Sequence, residues 1–379
     1  MTSTLERPAV RQDQPVRTVG VLDTTNNGHG VLRTDGGHPS PRDVQVSPAL
    51  IRRFGLRKGD VVDGTCERPR TLTGVDSVNG RAAHELRGRP HFHDLTPLHP
   101  RERLRLERPD GGPAPRIIDL VSPVGKGQRG LIVAPPKTGK TVLLQQIAAS
   151  VAVNHPECHL MVVLLDERPE EVTDMRRSVR GEVYASTFDR PAKEHIALAD
   201  LAVERAKRLV EQGRDVVILL DSLTRLCRAH NNNAGAGGRT LSGGVDASAL
   251  IGPKKLFGAA RLAEEGGSLT ILATVLVDTG SRADDYFFEE LKSTGNMELR
   301  LDRASADRRV FPAVDITPSG TRREELLLPS GELAAVRGLR RALRSRDART
   351  MLEALLDKIR STPDNAAFLR QVQHTAPDA

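Results

Sequence analysis

One octapeptide has the residue types and spacing to hold a phosphate chain: Ala134-Pro135-Pro136-Lys137-Thr138-Gly139-Lys140-Thr141. A loop of this kind, between a strand and a helix, turns backbone N–H groups and the positive end of the helix toward an anion. Lys140 is placed to reach the β- and γ-phosphates, and the Thr141 hydroxyl to hold Mg²⁺. Lys137, Thr138 and Gly139 complete the loop. The expected ligand is ATP with Mg²⁺. Ala134 stands where the usual pattern has its first glycine. Two apolar runs end in acids. Val216–Leu220 runs into Asp221, which fits the second carboxylate of a metal site. Leu160–Leu165 runs into Asp166-Glu167-Arg168, and Glu167 is the candidate base that accepts a proton from an attacking water.

Other chemistries find little support. Cys66, Cys158 and Cys227 are far apart and form no CxxC pair, so they read as idle thiols rather than a zinc site or disulfide framework. His91 and His93 flank Phe92 in a pattern that fits strand alternation better than metal binding.

A phosphate loop needs a strand before it and a helix after it. Leu131–Ala134 is such a strand, and Leu143, Leu144, Ile147, Ala148 and Val151 fall at helical spacing. Further buried strands are expected at Leu160–Leu165, Val216–Leu220 and Leu269–Leu276, with a helix over Leu201–Gln212. Apolar strands alternating with helices imply an α/β domain, a mainly parallel sheet covered on both faces. The earlier part of the chain has another texture. Thr18–Leu22, Gly30–Leu32, Val44–Val46 and Asp60–Val62 are short β-like runs, separated by turn residues such as Asn26-Asn27-Gly28 and Asp35-Gly36-Gly37. They predict a small all-β barrel of the OB-fold or cold-shock type. The expected organisation is a disordered tail at 1–16, the barrel at 17–95, a Pro- and Arg-rich linker at 96–116 and the ATPase domain at 117–379.

Lys and Arg number 56 against 49 Asp and Glu, a net charge of +7 that favours a polyanionic partner, nucleic acid ahead of membrane. No apolar run approaches the roughly 20 residues that span a bilayer, and the first residues lack the apolar centre of a secretory signal. The expected location is cytoplasmic. Aromatic residues make up only 3% and Trp is absent, which matters because single-stranded bases stack on rings.

The segments Gly130–Thr141, Asp166–Glu171, Leu219–Arg225, Asp278–Arg282 and Ser319–Glu325, in that order, resemble the Rho family of bacterial transcription terminators. The resemblance runs from about Gly20 to Arg360. It implies a homohexameric ring with RecA-like P-loop motor domains and ATP held between subunits. The implied activity is an RNA-dependent NTPase and 5′-to-3′ RNA translocase or helicase. It would act on the single-stranded nascent transcript and end transcription at the RNA polymerase elongation complex. Residue by residue, it implies that Lys140 and Thr141 bind phosphate and Mg²⁺, Lys137 assists, and Glu167 activates water. Asp221 serves the metal, Arg168 lines the pocket and Phe311 stacks on adenine. Arg322 is the implied arginine finger supplied to the neighbour's ATP, with Arg309 assisting at the same interface. Gly238–Gly244 and Asp278–Arg282 resemble two loops of the central hole, where Arg239, Ser242 and Arg282 would touch RNA phosphates and ribose hydroxyls.

The barrel departs from the family pattern. The family carries a Gly-Phe-Gly-Phe/Tyr-type strand; here the stretch is Gly28-His29-Gly30-Val31-Leu32-Arg33. His29 can stack on a base but Val31 cannot, and each lost stack forfeits about 1–3 kcal/mol. Phe54 is expected to pack inside. Arg33, Arg52 and Arg53 remain to attract phosphates, with weaker, less base-selective and more salt-dependent binding. Two alternatives stay open: a ring of this family that regulates by binding RNA without translocating, and another RecA-like ATPase such as a rotary ATP synthase subunit or a DNA recombinase.

Overall fold

The computed structural model describes residues 16–25, 27–67, 70–86, 88–234, 241–343 and 348–375. The expected tail, apart from Val16, lies outside these residues, as do Asn26 and Arg239. The chain divides into two compact units, Met1–Arg89 and Pro90–Ala379.

The first unit contains β1 (Val16–Thr24), β2 (Gly30–Arg33), β3 (Val44–Val46), α1 (Pro48–Phe54), β4 (Val61–Glu67), β5 (Thr71–Val78) and β6 (Arg81–Ala82). The sheet order is β3-β2-β1-β4-β5-β6, and a β3–β5 pairing closes it into an OB-like barrel. Period-two alternation sends Leu22, Leu32, Val44, Val46, Val62 and Leu72 inside. A Cβ at Gly30 would lie 2.7 Å from Leu22 Cδ1, so the glycine leaves room for that side chain in the core. Helix α1 starts at Ser47, whose side chain accepts from Leu50 N, and ends at Gly55 in the left-handed conformation. Phe54 is half-buried against the barrel core, with the Arg53 guanidinium 5.2 Å from its ring centroid.

In the second unit the strands are β7 (Pro97–Leu98), β8 (Arg103–Leu104), β9 (Val124–Gly125), β10 (Arg129–Ala134), β11 (His159–Glu167), β12 (Glu182–Thr187), β13 (Asp215–Asp221), β14 (Arg261–Ala263), β15 (Ser268–Leu276), β16 (Met297–Leu301) and β17 (Val314–Thr321). The helices are α2 (Pro113–Val121), α3 (Lys140–Asn154), α4 (Pro169–Ser178), α5 (Ala192–Val210), α6 (Leu223–Asn233), α7 (Ile251–Phe257), α8 (Arg282–Lys292), α9 (Arg303–Asp307), α10 (Ser330–Leu343), α11 (Ala348–Arg360) and α12 (Asn365–Thr375). The main sheet runs β12-β11-β13-β15-β10-β16-β17, parallel through β16 and closed by antiparallel β17. Each face has its own apolar layer. Ile132 and Val162 pack with α2, α3 and the C-terminal helices; Leu131, Val133 and Val163 pack with α5, α6 and α8.

Three expectations need correction. Residues 96–116 are not a linker. β7 pairs with β14, β8 pairs with β9, and Leu104 and Leu106 are buried in the core. The fully buried Asp119 carboxylate fixes this stretch by accepting from Leu106 N (3.0 Å) and Glu107 N (2.8 Å). Phe92 lies in a 3₁₀ turn rather than a strand, buried beneath the Arg261 guanidinium at 4.7 Å. Helix α5 begins nine residues before Leu201, at Ala192, because its first turns mix Lys193, Glu194 and His195 with small apolar residues.

Candidate active site

Four neighbouring parallel strands bring the candidate residues to one edge of the sheet. The register sets Val133 beside Val275, Leu164 beside Asp221 and Leu220 beside Ala273. The carboxyl ends of β10, β11, β13 and β15 therefore converge, the usual place for ligands in such sheets. β10 delivers the phosphate loop, in which Lys137 (φ 66°) and Gly139 (φ 84°) take left-handed conformations. The Thr138 hydroxyl donates to Pro135 O at 2.8 Å and stiffens the turn.

Lys140, the first residue of α3, projects its Nζ to 2.5 Å from both oxygens of Asp221 and 3.3 Å from Glu167 Oε1. Asp221 is 1% exposed and Glu167 2% exposed. Carboxylates this deep require partners, since an unpaired buried charge costs several kcal/mol. Arg225 supplies a second cation, with its Nη1 2.7 Å from Glu167 Oε1 and donating to Asp166 O at 2.5 Å. Thr274 Oγ1 donates to Asp221 Oδ1 at 2.8 Å, and Thr141 Oγ1 donates to Glu171 Oε2 at 3.1 Å. Arg225, Thr274 and Glu171 were not foreseen as site residues. Arg225 stands four residues after Asp221, one helical turn into α6; Glu171 stands four after Glu167. Thr274 left no local trace, since only the sheet register brings it there.

Beside the phosphate loop lies a cleft of about 390 Å³, lined in part by Gly139, Val142, Leu143, Phe311 and Pro312. Phe311 is 40% exposed, and a Cβ on Gly139 would come within 3.5 Å of its ring. A large exposed ring over an apolar cleft is suited to stacking on a base. Arg303 Nη1 donates to Pro136 O at 2.9 Å and ties this wall to the loop. Lys137 and Arg168 are exposed beside the site.

Arg322 lies elsewhere. Thr321 pairs with Met297, which pairs with Gly130, so Arg322 is beyond the edge where β10 begins. Ala134 is four residues further along, roughly 13 Å at the rise of a strand, and the phosphate loop lies beyond it. Arg309 is at the opposite edge, shortly before Val314, which pairs with Leu301. Within one chain, Arg309 and Arg322 therefore lie at opposite edges of the sheet. Antiparallel β17 runs the full depth of the sheet between them.

The two loop segments do come together. Gly243 approaches the start of α8 so closely that a Cβ would meet Ala283 N and Arg282 C at 2.9 Å. Ser242 and Arg282 are both exposed there. In the barrel, Arg33 is clamped between Asp23 (2.8 Å) and Asp43 (2.7 Å).

Known proteins share this sequence and fold. Residues 115–321 match the nucleotide-binding domain of the ATP synthase alpha/beta family, and residues 18–84 match the RNA-binding domain of Rho termination factor. The transcription termination factor Rho of Streptomyces coelicolor is 71% identical over 100% of this chain and 91% of its own length. That of Streptomyces lividans is 58% identical over 98% of this chain, which spans 54% of the relative. In fold, a prototypical ATPase from the type III secretion system of pathogenic bacteria has a TM-score of 0.63 at 22% identity, over 81% of this chain and 93% of its own. With an RNA-binding barrel and an ATPase domain in one polypeptide, and relatives this similar over their full alignment, the chain belongs to the family of transcription termination factor Rho.

Proposed function

We propose that the chain works as a homohexameric, RNA-dependent ATPase that translocates 5′ to 3′ along the nascent transcript, unwinds RNA and dissociates the RNA polymerase elongation complex in the cytoplasm. One observation carries the reading: the phosphate loop, Glu167 and Asp221 meet at one edge of the sheet, whereas the candidate finger, Arg322, lies at its far edge. A second copy of the chain is the natural source of that cation.

In this mechanism the γ-phosphate draws Lys140 away from Asp221 and Glu167. Arg225 keeps Glu167 oriented, and Glu167 takes a proton from the water that attacks in line. The new P–O bond forms as the bond between the γ-phosphorus and the β–γ bridging oxygen breaks, leaving ADP and phosphate. Arg322 of the adjoining subunit stabilises the charge on the transferring group, an effect of roughly 10³–10⁵ in rate. The hydroxyl and carboxylate oxygens of Thr141 and Asp221 suit Mg²⁺, and the place Lys140 Nζ takes beside Asp221 is already one that favours a cation. Mg²⁺ held by Thr141 and Asp221 would neutralise phosphate charge.

Helix α6 supports coupling to RNA. It follows Asp221 directly and holds both loops. Arg228 Nε donates to Asp284 Oδ1 at 2.9 Å, Thr279 Oγ1 donates to Asp284 Oδ2 at 2.6 Å, and Asp246 N donates to Asn231 Oδ1 at 2.7 Å. The Asp284 contact keeps the Arg228 guanidinium above its ordinary pKa. Ser242, Arg282 and, outside the described residues, Arg239 are the proposed RNA contacts of the hole. No helix among the described residues is long and apolar enough to cross a membrane.

A second reading, an RNA-binding ring that regulates without translocation, draws on the His29 and Val31 departures in the barrel. ATPase assays with and without RNA separate the two. The motor reading expects RNA-stimulated turnover that falls by about 10²–10⁴ in Glu167→Ala while ATP binding persists. Absence of stimulation in the unaltered chain would favour the regulator.

A further inference from the structure

The nucleotide cleft contains a polar side chain that hydrolysis does not use. Gln146 lines the cleft together with Phe311, Val142 and Leu143. Val142, Leu143 and Gln146 fall at i, i+1 and i+4 on α3, so Gln146 continues the face on which Val142 lies. The other polar side chain of the lining, Thr138, is committed to Pro135 O. The Gln146 carboxamide has no hydrogen-bond partner among the described residues.

Distance along the helix gives this amide a meaning. Gln146 stands seven residues after Gly139, about 10 Å along α3 from the phosphate loop. That is the scale separating a nucleotide's terminal phosphates from the edge of its base. On the proposed reading of the ATP site, we infer that Gln146 hydrogen-bonds the edge of the nucleobase and sets how strongly the motor discriminates between purine triphosphates.

A carboxamide carries a donor and an acceptor on one fork and can present either by turning over. It can meet the amine and ring nitrogen of adenine. After turning, it can meet the carbonyl and ring N–H of guanine. The rest of the nearby lining is apolar and tells the two apart poorly. Gln146 is therefore the cleft residue able to accept either purine, and its side chain sets the preference between them. A carboxylate at this position accepts only, so it can take the ring N–H and the amine of guanine together, whereas against adenine it keeps the amine and opposes the ring nitrogen.

The test measures KM for ATP and for GTP in RNA-stimulated hydrolysis by the full chain, comparing the natural protein with Gln146→Glu, Gln146→Leu and Phe311→Ala. The natural protein should show KM values within about threefold of each other, and Gln146→Leu should raise both by about three- to tenfold. Gln146→Glu should move the GTP-to-ATP ratio of KM downward by about tenfold. A ratio within twofold of the natural protein's in Gln146→Glu, with Phe311→Ala raising KM for both nucleotides, overturns the role of Gln146 and leaves the site reading intact. No change in KM from Phe311→Ala overturns the placement of the base in this cleft, and with it the inference.

Discussion

At the ATP edge of the second unit, Lys140 and Arg225 face Asp221 and Glu167 across four different elements, and a bound triphosphate can exchange those partners. On the outside of the barrel, Arg33 faces Asp23 and Asp43, its neighbours on β1 and beside β3, with Lys58 also 3.3 Å from Asp23. That network is complete without a ligand. Both regions contain cations able to bind phosphate, but only the first holds them where an incoming anion gains a partner. The contrast extends to rings. Phe311 is exposed over its cleft, whereas the barrel strand that should stack on bases presents Val31, with Gln45 and Asp23 as its cross-strand neighbours. The ATP edge thus keeps cations that an incoming anion can claim, while the barrel strand offers no ring at residue 31.

The largest expected break of this comparison is Arg322→Ala, which should lower RNA-stimulated kcat by about 10³-fold or more and leave ATP affinity nearly unchanged. Single-turnover hydrolysis beside equilibrium ATP binding checks it. Next comes Val31→Phe, which should tighten binding to cytosine-rich RNA by about 1–3 kcal/mol if the missing ring is what limits the barrel. Fluorescence anisotropy with a short oligonucleotide measures this, and an unchanged Kd would shift the limitation elsewhere. The smallest effect is expected from Arg33→Ala. Because the guanidinium is already neutralised, RNA affinity should change less than about twofold, while thermal stability falls as Asp23 and Asp43 lose their shared partner. A large loss of RNA affinity at unchanged stability would show that Arg33 does meet phosphate.

Much of the ATP site was legible in sequence because its parts are local. The phosphate loop is contiguous, and Asp221 and Glu167 each end an apolar run, so strand and chemistry announce themselves together. What brings them together is sheet order, which no local pattern contains; hence Thr274 was missed. Residues 96–116 misled because Pro and Arg dominate their composition, while the features that bury them are Leu104, Leu106 and the distant Asp119 carboxylate. Val142 and Gln146 lie on the helix expected from Leu143, Leu144 and Ile147, but that their face borders a cleft follows from Phe311 reaching over Gly139. In the barrel, strand positions were readable from alternation, yet the clamp on Arg33 depends on Asp23 and Asp43 arriving from either side.

The central claim is that Arg322 acts on a neighbour's nucleotide, and mixing two inactive variants tests it most directly. Glu167→Ala and Arg322→Ala chains, each nearly inactive alone, are unfolded together, co-assembled and assayed with RNA. If the finger acts across the interface, some junctions unite an intact Glu167 from one chain with an intact Arg322 from the other, and turnover should rise well above either parent ring. A mixture no more active than its components, in rings shown to contain both chains, would contradict the account.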